Sequence, residues 1–101
     1  LKHDAGGMVD IEFMVQFLVL AHSHQHPALI ENKGNIELLR RAASAGLIPL
    51  EAGKAVGDAY RRYRRLQHEI RLNDAERARV PPATVAVEAG AVKALWQHLF
   101  G

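Results

Sequence analysis

At 101 residues the chain has the length of one domain, residues 1–101, with enough material for a real core but too little for two. Hydrophobic residues make up 49% and charged residues 24%, a globular composition rather than a disordered one. A formal net charge of +2 gives no bulk electrostatic case for nucleic acid, and the absence of cysteine excludes a disulfide scaffold or a thiolate zinc site.

The chain opens at Leu1-Lys2-His3 without an initiator methionine, which reads as a fragment of a longer protein. No signal-peptide pattern is visible. The stretch from Gly6 to Ala21 reads GGMVDIEFMVQFLVLA and is interrupted only by Asp10, Glu12 and Gln16. An apolar run of this kind predicts a helix from Met8 to Ser23, buried on most of its circumference. It is too short to span a bilayer and carries Glu12 and Gln16, so a membrane helix is excluded. Glu12 and Gln16 share one face, while Asp10 points roughly the opposite way. Gly6 and Gly7 suit a tight entry into this helix.

The His22-Ser23-His24-Gln25-His26-Pro27 stretch ends that helix, because a proline disfavours helix in the residue before it. A loop to Gly34 follows, with Asn35 as N-cap of a second helix over Ile36–Ala45. Gly46 stands where a helix C-terminal glycine belongs, with Leu47 placed for the accompanying apolar contact. Pro49 suits the first turn of a third helix, whose stripe is Val56, Ala59, Tyr60, Tyr63, Leu66 and Ile70, ending at Asn73. Asp74 to Pro82 closes on Pro81-Pro82 and excludes regular helix there. A fourth helix over Val85–Phe100 turns Val92, Leu95, Trp96 and Leu99 inward, with Gly90 weakening its first half. No useful length alternates with period two, so the fold class is all-α: an antiparallel bundle of about four helices.

Several constellations could carry chemistry. His22, His24 and His26 tempt as metal ligands, but they run into a proline loop with no carboxylate before Glu31, so a solvated loop is expected and no metal site. Arg61, Arg62, Arg64 and Arg65 are diluted by Asp58, Glu69 and Glu76 and read as a solvated face paired at i,i+4. Tyr60, Arg64 and His68 lie on one stripe, so Arg64 is expected to meet Glu12, with Gln16 and His68 nearby, as a register-fixing network. Lys2 with Gly6 and Gly7 at a helix N-terminus forms a candidate site for a nucleotide phosphate. Neither a Gly-x-x-x-x-Gly-Lys loop nor a Ser-His-Asp set is present.

Lys2, Gly6-Gly7-Met8-Val9-Asp10-Ile11-Glu12-Phe13 and Gln16-Phe17-Leu18-Val19-Leu20 together resemble the segment after a nucleotidyltransferase domain in glutamine synthetase adenylyltransferases. The resemblance continues through Asn35, Leu38-Leu39, Ala59-Tyr60, Arg64, His68 and Trp96, and so covers nearly the whole chain. Asn32-Lys33-Gly34 depart from the aromatic and acidic or hydroxyl residues that the family often places before the asparagine. The resemblance implies the C-terminal helical domain of a cytoplasmic, bifunctional enzyme whose adenylylating half moves AMP from ATP to a tyrosine of glutamine synthetase. It implies ATP and Mg2+ for the parent, held mostly by the nucleotidyltransferase domain of the same polypeptide, and the PII signal protein as a further partner. On this reading Lys2, Gly6 and Gly7 lie nearest the nucleotide, Asp10 is the candidate catalytic residue, and the fragment alone is inactive. A second reading makes the bundle a module that recognises glutamine synthetase or a regulatory protein without touching nucleotide. An exposed apolar patch beside Asp10 would favour the first.

Overall fold

A computed structural model describes residues 7–29, 34–73 and 85–101, with residues 28 and 70–73 described by their backbone alone. Lys2, Gly6 and the Asp74–Pro82 segment lie outside the described residues, as does the side chain of Ile70. The chain folds as an all-α bundle of α1 (Met8–His22), α2 (Asn35–Ser44), α3 (Leu50–Asn73) and α4 (Ala86–Phe100). A single 3-10 turn over Pro27–Leu29 lies between α1 and α2.

The apolar run of Met8 to Ala21 becomes α1, and its buried side chains Met8, Ile11, Met14, Val15 and Leu18 recur every three or four residues. Gly7 caps it with φ −92° and ψ −164°, an extended conformation open to any residue. The special backbone freedom expected of this glycine is therefore not used. What Gly7 supplies is the lack of a side chain at a buried position.

α2 is capped by Gly34, not by Asn35, and no side chain bonds its first amides. Its end follows the sequence closely: Gly46 adopts φ 81°, its amide donates to the Ala43 carbonyl at 3.0 Å, and the Leu47 amide donates to Ala42 at 3.0 Å. This is the paired Schellman pattern, and Leu47 packs on the core beside it. Pro49 sits one position earlier than expected: its carbonyl takes the first helical bond of α3, from the Gly53 amide at 3.0 Å.

The core is built from Ile11, Met14 and Leu18 of α1, Leu39 and Ala42 of α2, Val56 and Tyr63 of α3, and Val92 and Leu95 of α4. Each fully buried aliphatic side chain there contributes roughly 1.5–3 kcal/mol. α3 packs against every other helix and forms the spine. α2 approaches it closely at Gly53, where a Cβ would fall 2.9 Å from that of Ala43. Trp96, expected inward, lies at the rim of the core, 37% exposed.

Candidate functional site

α1 presents two faces with different fates. On one, Glu12 is half-buried and its Oε2 accepts from the Tyr60 hydroxyl at 3.3 Å. That hydroxyl in turn accepts from the Asn35 Nδ2 at 3.0 Å, so one phenol ties α1, α2 and α3 together. The expected Glu12–Arg64 pair does not form. Arg64 is exposed and its guanidinium carbon lies 6.0 Å from the centre of the Tyr60 ring, while Gln16 and His68 face solvent. The physical reason is burial: Tyr60 is only 8% exposed and fills the space between the helices, placing its own hydroxyl at the carboxylate. Asn35 serves this bridge rather than the helix cap.

The other face of α1 carries Asp10, Phe13, Phe17 and Leu20 at successive spacings of three and four. Asp10 sits half-buried in the first turn, where the helix dipole favours a carboxylate. Phe13 is 55% exposed and Leu20 82% exposed. From α4, Trp96 and Phe100 complete a ring cluster: Phe13 lies 5.6 Å from Trp96 and 5.9 Å from Phe100, and Phe17 lies 4.8 Å from Phe100, edge to face. Four of the chain's six aromatic residues thus meet on one surface rather than in the core. Sequence reasoning passed over Phe13, Phe17 and Phe100 as a cluster; the signal was a helix apolar on most of its circumference, more than its three partner helices cover.

Gly7, at the N-cap of α1, has no side chain to bond the first amides, and Asp10 stands in the same turn; Lys2 and Gly6, their expected companions, lie outside the described residues. Among the described residues no group of three histidines and carboxylates could hold a metal ion, and His22, His24 and His26 do not gather into one. No helix among them is long and apolar enough to cross a membrane.

Among the other described cations, Arg40, Arg41 and Arg61 form ion pairs. Glu37 accepts from Arg40 at 2.8 and 2.6 Å and from Arg41 at 2.9 Å. Hydrogen bonds from these two guanidiniums lower its carboxyl pKa from an ordinary 4.5 to about 2. Asp58 takes Arg61, at 3.2 Å, instead of the expected Arg62. Arg40, Arg61 and Lys54 edge a groove of about 210 Å³ between α2 and α3.

A family model described as GlnD PII-uridylyltransferase matches residues 1–85. The chain is 56% identical over all 101 of its residues to a protein of Burkholderia mallei named bifunctional glutamine synthetase adenylyltransferase/adenylyl-removing enzyme, of which it covers 11%. Relatives carrying the same name in Bordetella bronchiseptica, at 55% identity over 96% of this chain and 10% of that protein, and in Neisseria meningitidis serogroup A, at 46% over 100% and 11%, show the same relation. The chain spans about a tenth of the length of the curated relatives it matches. No solved structure matches it significantly.

Proposed function

The chain belongs to the GlnD PII-uridylyltransferase family, and from that premise we propose that it is the C-terminal helical domain of a glutamine synthetase adenylyltransferase, supporting the nucleotidyltransferase domain that moves AMP from ATP to a tyrosine of glutamine synthetase. The observation that carries this reading is the match of the entire chain, at 56% identity, to relatives bearing that enzyme's name. The apolar patch beside Asp10 supports a wall of a catalytic assembly over a free-standing recognition module.

In this role the chain positions rather than reacts. Nucleotidyl transfer depends mainly on alignment and charge stabilisation, so a rigid wall that orders the triphosphate contributes without acid–base chemistry of its own. ATP would meet the N-terminal end of α1, where Lys2, Gly6 and Gly7 supply an ammonium and backbone amides and Asp10 stands in the first turn. On this reading Mg2+, like ATP, is held mostly by the nucleotidyltransferase domain of the same polypeptide. A cytoplasmic setting and regulation by the PII signal protein belong to the same reading.

The test compares AMP incorporation into glutamine synthetase by the full-length enzyme, by the enzyme lacking this segment, and by the 101 residues alone. Only the full-length enzyme is expected to be active. Transfer by the isolated chain, or undiminished transfer without it, would overturn the proposal.

A further inference from the structure

We infer that the groove between α2 and α3 is a docking site for an acidic segment of a separate protein partner, which inserts one aliphatic side chain between the two helices. The inference goes beyond the reading above, since no residue of α1 or α4 lines the groove.

Shape sets the first condition. Gly53 and Gly57 of α3 lie against Ala43 and Ile36 of α2, so the helices meet through small groups and leave a trough of about 210 Å³. Pockets for drug-sized ligands and cofactors run from about 300 to 1,000 Å³, so this trough is too small for a nucleotide. It suits one aliphatic side chain. Ile36 lines it from α2 and Leu50, 69% exposed, lines it from α3. Charge sets the second condition. Arg40, Lys54 and Arg61 surround the trough against a single lining carboxylate, Asp58. Lys54 is exposed and forms no ion pair among the described residues. Arg61 and Asp58 pair at 3.2 Å with more than half of each side chain in solvent, so a better acceptor can displace that pair. Arg40 shares Glu37 with Arg41, so Arg40 can turn to another carboxylate while Glu37 keeps a partner.

An apolar slot rimmed by positive charge complements an acidic peptide that carries an aliphatic anchor. Single-stranded nucleic acid would want an aromatic platform for its bases, and no aromatic residue lines the groove. Permanent contacts within one polypeptide or between fixed subunits are larger and more apolar than this charged slot, which suits a partner that comes and goes.

The test is fluorescence anisotropy of a fluorescein-labelled heptapeptide, a leucine flanked on each side by three acidic residues, titrated with the full-length enzyme. Saturable binding that weakens as salt is raised is expected. Replacing the peptide's leucine by serine should weaken binding about tenfold or more, the value of one buried aliphatic side chain. In the enzyme, Lys54→Glu should weaken it about tenfold through charge. Leu50→Ser, which removes an exposed wall without changing charge, should weaken it too. Lys93→Glu makes the same charge change on an exposed part of α4 outside the groove and should leave binding unchanged. Absence of saturable binding would overturn the inference, since a groove already filled by the polypeptide itself would also refuse the peptide. Equal weakening by Lys54→Glu and Lys93→Glu would do the same, because it marks general charge attraction. So would binding that ignores the leucine, or that survives both Lys54→Glu and Leu50→Ser.

Discussion

Gly53 and Gly57 lie one turn apart on α3 and both are buried, so the same substitution at each isolates what packing demands. Replacing a helical glycine by alanine gains about 1 kcal/mol from propensity alone. At Gly57 the new Cβ would lie 3.7 Å from Ile36 Cγ2, an ordinary contact, so the gain survives and Gly57→Ala should stabilise by about 1 kcal/mol. At Gly53 the new Cβ would lie 2.9 Å from Ala43 Cβ and 3.4 Å from the Leu39 carbonyl oxygen. Neither neighbour can rotate away, so α2 and α3 must separate, at an overpacking cost of roughly 1–3 kcal/mol. Taking the middle of that range, Gly53→Ala should destabilise by about 1 kcal/mol net. The two variants then differ by about 2 kcal/mol, or about 10 °C in melting temperature for a domain of this size. Thermal unfolding of the chain followed by circular dichroism reads this directly. If both variants raise the melting temperature, the α2–α3 contact is looser than described.

Tyr60→Phe removes the hydroxyl that joins Asn35 to Glu12 and should lower stability by about 1 kcal/mol in urea unfolding, because both partners are half-buried and only partly rehydrate. An unchanged midpoint would show that water replaces the bridge fully. Glu37 has its folded-state pKa lowered to about 2, so its stabilisation is present above an ordinary 4.5 and lost as pH falls toward 2. The melting-temperature gap between the unsubstituted chain and Glu37→Gln should therefore be full above 4.5 and close toward 2. A gap independent of pH would refute that assignment.

The fold was legible because local signals agreed. The α1 run, the Gly46 stop with Leu47 behind it, and the Val56–Ala59–Tyr60–Tyr63 stripe each specify an element from neighbouring residues alone. What failed depended on contacts between helices. Spacing put Glu12 and Arg64 on facing stripes, but it could not show that the buried Tyr60 ring would reach the carboxylate first. Trp96 satisfied the inward periodicity of α4, yet its size and the neighbouring Phe13 and Phe100 hold it at the rim. Periodicity identifies an apolar face, not what lies against it. That is why α1 read as buried on most of its circumference while its aromatic side stands open here. Of the candidate nucleotide contacts, Asp10 and Gly7 lie together at the start of α1, a neighbourhood that their adjacency in sequence already fixed.

The most direct measurement is the adenylylation rate of the full-length enzyme carrying Asp10→Asn, taken with its melting temperature. A role at the nucleotide predicts a rate lower by about a hundredfold or more. The melting temperature of the same variant separates a loss of rate at the nucleotide from a loss of folded enzyme. An undiminished rate would contradict the account, remove Asp10 from the nucleotide site and favour a module that recognises protein partners instead.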